Sequence, residues 1–295
     1  MTSHRAHARA GRHATGLPPL TAPRTTRLLS PAATPAVVAH RGNSSVAPQN
    51  TLAALEAACR AGADAVEIDV RLSADGVPLV LHDDSVDATT DGTGLVAALS
   101  AERLRELDAG AWFSPAFAGQ RVPTFDDVLA LLARHPRTDL LLELKDTWPP
   151  DAVRSLTEAI VAAGFAERVL VQSFWPDTVA ALRDAAPHLP RGLLVAYEPG
   201  GLLAVCAGLG VVACNPSARM VATDPGLVAR LQAAGLRVMV WTENDPAAWA
   251  ALCGAGGGPA VDAIITDRPD HLAGWLAGVR TARTAPAPRA GAGPG

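Results

Sequence analysis

Lysine is all but absent from this chain. Of its 25 basic residues, Lys145 alone is lysine and the rest are arginine. A drift toward arginine removes lysine wherever either residue serves, so the one that remains marks a candidate place where a guanidinium does not fit. Acidic residues are missing from the start of the chain, where none precedes Glu56. Four cysteines (Cys59, Cys206, Cys214, Cys253) lack C-x-x-C spacing, which argues against a zinc site or a disulfide framework. No apolar run reaches the roughly 18 residues of a membrane span. Residues 1–35 also lack the apolar core of a secretory signal. Together these absences lead to the expectation of a cytoplasmic protein without stable membrane insertion. The net charge of −4 gives no reason to invoke nucleic acid as a partner.

What is present is apolar material in short pieces. The chain has 295 residues and is 49% apolar, enough for one large domain or two small ones at roughly 150 residues each. Residues 1–35 are basic and rich in Ala, Thr and Pro, and residues 280–295 are rich in Pro, Gly and Ala. Both are expected to be disordered tails. Between them, apolar runs at 36–39, 64–70, 77–82, 139–145, 168–172, 191–195, 211–214, 236–241 and 262–265 read as strands. Helical patterns fall at 50–61, 124–134, 151–163, 177–186, 202–208, 224–234, 246–253 and 268–279. Asp224-Pro225 and Asp245-Pro246 are cap-then-Pro helix starts. Gly62, Gly164 and Gly235 read as helix stops.

Nine strands are one too many for the commonest closed barrel. Only Leu72 to Gly76 separates the second from the third, whereas parallel neighbours need a crossover of about a dozen residues or more. That link is therefore a hairpin. With Asp75-Gly76 as a two-residue turn, Asp69 faces His82; with a longer loop, Glu67 does. Eight βα units then remain, the count of a (β/α)8 TIM barrel. A doubly wound open sheet is the alternative, but no G-x-G-x-x-G follows any strand.

The chemistry concentrates at strand ends. Glu67 and Asp69 are two apart on a strand and share a face. In a barrel that face is the interior, where bare carboxylates are costly. Either a divalent cation or a salt bridge to Arg41 or Arg71 must compensate. Glu143 and Lys145 repeat the spacing at the end of LLLELK. They form either a buried ion pair or a third carboxylate ligand with a phosphate contact. Three carboxylates suit Mg²⁺ or Ca²⁺ better than zinc. His40 and His82 each end a strand, and two imidazoles can exchange protons near neutral pH. Arg41, next to His40, can grip a phosphate by two hydrogen bonds. Asn50 is a candidate cap for the first helix.

In order along the chain, AHRG, PQNT, EIDV, DGVPLVLHDD, TDGTG, VPTFDDVL, LLLELK, QSF, WTEN and DAIITDRP resemble the glycerophosphodiester phosphodiesterase family. The resemblance spans roughly residues 36–279 and implies a (β/α)8 barrel with a small insertion at about 84–123. It implies hydrolysis of glycerophosphodiesters to sn-glycerol 3-phosphate and an alcohol. Under it, Glu67, Asp69 and Glu143 match metal ligands for Mg²⁺ or Ca²⁺, and His40 and His82 match the acid–base pair. Arg41 and Lys145 match phosphate-binding positions, with Gln172 of QSF on the substrate side. Trp241 would line the glycerol side. Gln49 departs from the pattern, PQNT standing where the family usually has PENT, and is a substrate-side candidate only. Two further readings compete. One is a lysophospholipase D-type activity, with Trp112, Phe113 and Phe117 as an apolar entrance. The other is a non-catalytic barrel that binds phosphodiesters, for which Gln49 is the only support.

Overall fold

A computed structural model of the protein describes residues 26–30 and 32–284. Its strands are β1 (Ala36–His40), β2 (Ala65–Leu72), β3 (Pro78–Val80), β4 (Asp139–Leu144), β5 (Val169–Ser173), β6 (Arg191–Val195), β7 (Ala213–Pro216), β8 (Arg237–Val240) and β9 (Ala263–Thr266). All but β3 pair in parallel around a closed ring, β1 meeting both β2 and β9. Helices follow the strands, and the eight-stranded parallel barrel is the (β/α)8 fold expected. Buried on both faces, its strands read as continuous apolar runs such as the DLLLEL of β4.

Alternate residues divide the core in two. Val38, Ala65, Leu141, Leu170, Ala213, Met239, Ala263 and Ile265 fill the barrel interior. Their neighbours, among them Val37, Ile68, Leu142 and Val238, pack outward under the helices. A further side chain joins the interior from outside the sheet. Residues Arg27–Leu29 form a 3-10 turn whose Leu28 is fully buried in that cluster. The Thr26 hydroxyl and the Arg27 N–H donate to Asp139 Oδ2 at 3.0 and 2.7 Å. Asp139 opens β4, so the turn closes the N-terminal end of the barrel.

Residues 26–30 therefore lie outside any disordered tail, and so do residues 280–284. The last helix runs Pro269–Thr284, past the limit expected at 279. The remaining tail residues, including His4, His7 and His13, fall outside the described ones. The pattern at 224–234 holds one helix, Leu227–Ala233, and a second helix not expected from sequence, Ala218–Thr223, precedes it. Ser217 caps the latter, while Asp224 makes a turn by accepting from Gly226 N–H. Among the described residues, no helix is long and apolar enough to cross a membrane.

The β2–β3 hairpin differs from both expected registers. Val70 pairs with Val80 and Leu72 with Pro78, leaving Ala74-Asp75-Gly76 as a three-residue loop. Gly76 adopts φ 77°, the left-handed position such a loop requires. Leu81, rather than His82, stands opposite Asp69, its N–H donating to Asp69 O at 2.9 Å. β1 stops opposite Glu67, and β3 takes over the vacated edge of β2 above it. His82 then lies in a bend beyond β3, where Arg71 Nε donates to its carbonyl at 2.8 Å. The segment after it, 84–123, builds a small core of its own from Val86, Val96, Leu104, Leu107 and Val122 against Leu79 and Leu81.

Candidate active site at the barrel mouth

The C-terminal ends of the strands carry the polar residues, as the fold demands of a site. Glu67 and Asp69 project inward from β2, and Asp69 pairs in register with Glu143 of β4. All three are buried, and one oxygen from each lies within 4.8 Å of the others. Two cations face them. Lys145 Nζ sits 2.5 Å from Glu143 Oε1 and 2.9 Å from Asp69 Oδ1. Arg41 Nε lies 3.1 Å from Asp69 Oδ2, and Arg41 N–H donates to Glu67 Oε2 at 3.0 Å. Asn50 Nδ2 donates to Asp69 Oδ2 at 2.8 Å. Asn50 is thus a carboxylate holder, and Thr51 is the helix cap instead.

Three carboxylates against two cations leave one negative charge uncompensated. Burial pushes Glu67 well above the usual carboxylate range, with Asp69 and Glu143 adding repulsion. Burial likewise pushes Glu143 up to about 7, helped by Asp69. Burial also opposes ionisation of Asp69, but Lys145 and Arg41 overcome it and hold that carboxyl far down. Such an all-oxygen, electron-rich cluster fits a hard divalent cation. Arg41 reaches it from a left-handed backbone, φ 58°, a conformation that costs roughly 1–3 kcal/mol and persists where surroundings enforce it. The next residue must be glycine, because a Cβ on Gly42 would stand 2.5 Å from Ala54 C.

The two histidines flank this cluster. His40 ends β1, its Nδ1 lying 2.7 Å from Asp267 Oδ1. His82 Nδ1 lies 2.6 Å from Asp83 Oδ1. Burial draws His82 below its ordinary value, against the pull of Asp69. Across the mouth, Asn215 Nδ2 donates to Gln172 Oε1 at 2.7 Å, which leaves the Gln172 amide nitrogen as the group to present. Trp241 is fixed by its Nε1–H to Asn215 O at 2.7 Å and meets Phe174 edge-on at 5.2 Å.

A small cavity of about 50 Å³ is lined by His40, Arg41, Glu67, His82, Glu143, Lys145, Gln172 and Trp241, with Phe174, Leu194 and Ile265. Of the residues singled out from sequence, Asp69 lies beneath the lining within the carboxylate cluster. Gln49 lines a neighbouring cleft with Asn50, His82, Thr89 and Thr90. It reaches the mouth by its Oε1, which accepts from Arg41 Nη1 at 2.7 Å. Arg71 compensates neither Glu67 nor Asp69; it joins His82 O to Asp146. Trp112, Phe113 and Phe117 stack edge-to-face on the insertion and do not line the mouth. Sequence reasoning missed Asp267 and Asn244, although both stand in the strand-end motifs DAIITDRP and WTEN.

A (β/α)8 barrel with an acidic cluster flanked by two histidines at its mouth is the class this geometry defines, and comparison with known proteins narrows it. The model of the glycerophosphoryl diester phosphodiesterase family matches residues 40–271, and the chain belongs to that family. A glycerophosphodiester phosphodiesterase of Caldanaerobacter subterraneus is 36% identical over 240 residues, covering 80% of this chain and 95% of its own. The crystal structure of the Agrobacterium tumefaciens glycerophosphodiester phosphodiesterase is 32% identical, with TM-score 0.70, over 81% of this chain and 99% of that one. An Oleispira antarctica phosphodiesterase solved with the product sn-glycerol-3-phosphate is 30% identical, with TM-score 0.74, over 83% and 97%.

Proposed function

We propose that this enzyme hydrolyses glycerophosphodiesters to sn-glycerol 3-phosphate and an alcohol, with a divalent cation and two histidines as its working groups. The observation that carries the reading is the convergence of three buried carboxylates between two histidines at the barrel mouth. Glu67, Asp69 and Glu143 would hold Mg²⁺ or Ca²⁺. When bound, the cation supplies neutralisation of the phosphodiester and a lowered pKa for an adjacent hydroxyl or water.

The chain's own residues divide the remaining work. Arg41 and Lys145 offset charge that builds on the phosphoryl oxygens. One of His40 and His82 removes a proton from the nucleophile while the other protonates the departing alcohol. Gln172 offers an amide N–H to a substrate oxygen. Trp241 and Phe174 give the glycerol carbons an apolar wall. Gln49, neutral and bonded to Arg41, orients that guanidinium.

The test is direct. The protein is incubated with glycerophosphocholine and with lysophosphatidylcholine, with and without EDTA, while glycerol 3-phosphate and choline are followed. EDTA-sensitive release of both products from glycerophosphocholine supports the proposal. Absence of metal-dependent hydrolysis of either substrate refutes it. Preference for lysophosphatidylcholine would move the substrate class to single-chain lipids.

A further inference from the structure

We infer that Asp267 is a positioning residue for His40, holding its proton on Nδ1 and leaving Nε2 open toward the barrel mouth. The inference rests on the acid–base role proposed for His40. Closure of the barrel brings the two together: β1 pairs with β9, Ala39 standing opposite Thr266. The residue after each is His40 and Asp267, with Nδ1 and Oδ1 2.7 Å apart.

The carboxylate is held from every side by donors. Ser44 Oγ donates to Oδ1 at 3.0 Å, and Asn244 Nδ2 donates to Oδ2 at 2.6 Å. Asn244 is itself locked, its Oδ1 accepting Asp267 N–H at 2.9 Å and Thr266 Oγ1–H at 2.8 Å. Thr266 is fully buried. The Ser44 hydroxyl lies 2.9 Å from His40 O as well, so one serine touches both partners. An ionised carboxylate only accepts hydrogen bonds. Burial opposes ionisation of Asp267, but the His40 ring first, and then Asn244 and Ser44, outweigh it and hold the carboxyl ionised, near 2. The ring nitrogen facing it must therefore carry the proton. Nε2 then keeps its lone pair on the side where His40 lines the cavity. A proton taken up there makes an imidazolium already facing its counter-charge.

His82 has no equivalent frame. Asp83 is its neighbour in sequence and its side chain is about as exposed as that of Asp267 (36% against 35%). Among the described residues, however, the Asp83 carboxylate has no hydrogen bond besides that to His82. The two histidines thus differ in how firmly their protons are placed.

Asp267→Asn tests this. An asparagine keeps the size and can still bond Asn244, so a carboxylate that merely ties β9 to its neighbouring loop is replaced without loss. A carboxylate that sets the tautomer is not. Turnover of glycerophosphocholine is expected to fall about 10²–10⁴-fold in kcat with KM changed less than about threefold. Ring ¹⁵N NMR of the wild type is expected to show neutral His40 protonated at Nδ1, and that of the variant to show loss of this preference. A variant that keeps kcat within about threefold of wild type, or a wild-type His40 protonated at Nε2, overturns the inference. Should Asp267→Asn fail to fold, the wild-type spectrum still decides, together with Ser44→Ala, which removes one donor and is expected to weaken the Nδ1 preference. A wild type that hydrolyses no phosphodiester refutes the proposed function instead, and the ring spectrum judges the pairing independently.

Discussion

Lys145→Met removes one charge from the buried cluster of Glu67, Asp69 and Glu143 and leaves a side chain of similar length. Lys145 Nζ lies 2.5 and 2.9 Å from two buried carboxylates. At an effective dielectric of about 20, each contact supplies roughly 6 kcal/mol of attraction. Desolvation of the ammonium offsets much of that sum, and breaking one member of a buried ion cluster costs about 3–5 kcal/mol net. For a domain of this size, each kcal/mol moves Tm by about 2–4 °C. The variant, stripped of metal with EDTA, is therefore expected to melt about 6–20 °C below wild type.

The loss also has a sign in pH. Glu143 titrates at about 7 in the folded chain, raised by burial and by Asp69. Below that pH it carries a proton, and the cluster has one negative charge fewer for Lys145 to oppose. The Tm deficit of Lys145→Met is thus larger at alkaline pH than at mildly acidic pH. Scanning calorimetry of both proteins on either side of neutrality measures it. A deficit under about 2 °C, or one equal at both pH values, would show that Lys145 does not neutralise this cluster. Lys145→Arg separates charge from shape, because a guanidinium overfills a position only 5% exposed and costs about 1–3 kcal/mol.

Glu67→Gln removes a ligand charge and is expected to weaken Mg²⁺ or Ca²⁺ binding by at least about tenfold in calorimetric titration; unchanged affinity removes Glu67 from the ligand set. His40→Ala and His82→Ala are each expected to lower kcat by about 10²–10⁴-fold, and near-normal turnover in either ends its acid–base role. Asp267 has a folded value near 2 against 3.8 for the free group, so its stabilisation is complete above about pH 4 and lost as pH falls through about 2. Wild type and Asp267→Asn should accordingly converge in Tm across that window, and parallel curves contradict it. Leu28→Ala opens a cavity in the barrel interior and should cost about 2–5 kcal/mol in urea unfolding; a loss below about 1 kcal/mol means the N-terminal turn is not a plug.

The barrel was legible because its grammar is local. Parallel strands buried on both faces show as apolar runs, and a five-residue gap cannot hold a crossover. Helix stops at Gly62, Gly164 and Gly235 are local too, and all three adopt left-handed φ. The hairpin register was not legible. Asp75-Gly76 reads as a two-residue turn, but Asp75 Oδ1 is drawn away, accepting from Ser73 Oγ at 2.6 Å and from Ala101 N–H at 2.9 Å. Ala101 lies in the insertion, so a distant segment chose the loop length. The plug at Leu28 escaped notice for the same reason: its partner is Asp139, 112 residues from Arg27.

The site divides along the same line. Glu67, Asp69, Glu143 and Lys145 announce themselves by two-residue spacing at the ends of apolar strands, a signal each strand carries alone. His40 and His82 are also visible there, but what distinguishes them is not. Asp267 stands 227 positions from His40 and reaches it only because the last strand closes on the first. Asn50 illustrates the opposite error. Its place before a helix reads as a cap, yet its amide goes to the buried carboxylate of Asp69, 19 residues on, while Thr51 satisfies the helix end. Strand-local chemistry marks the candidate groups of a barrel mouth; closure decides which of them finds a partner to hold it.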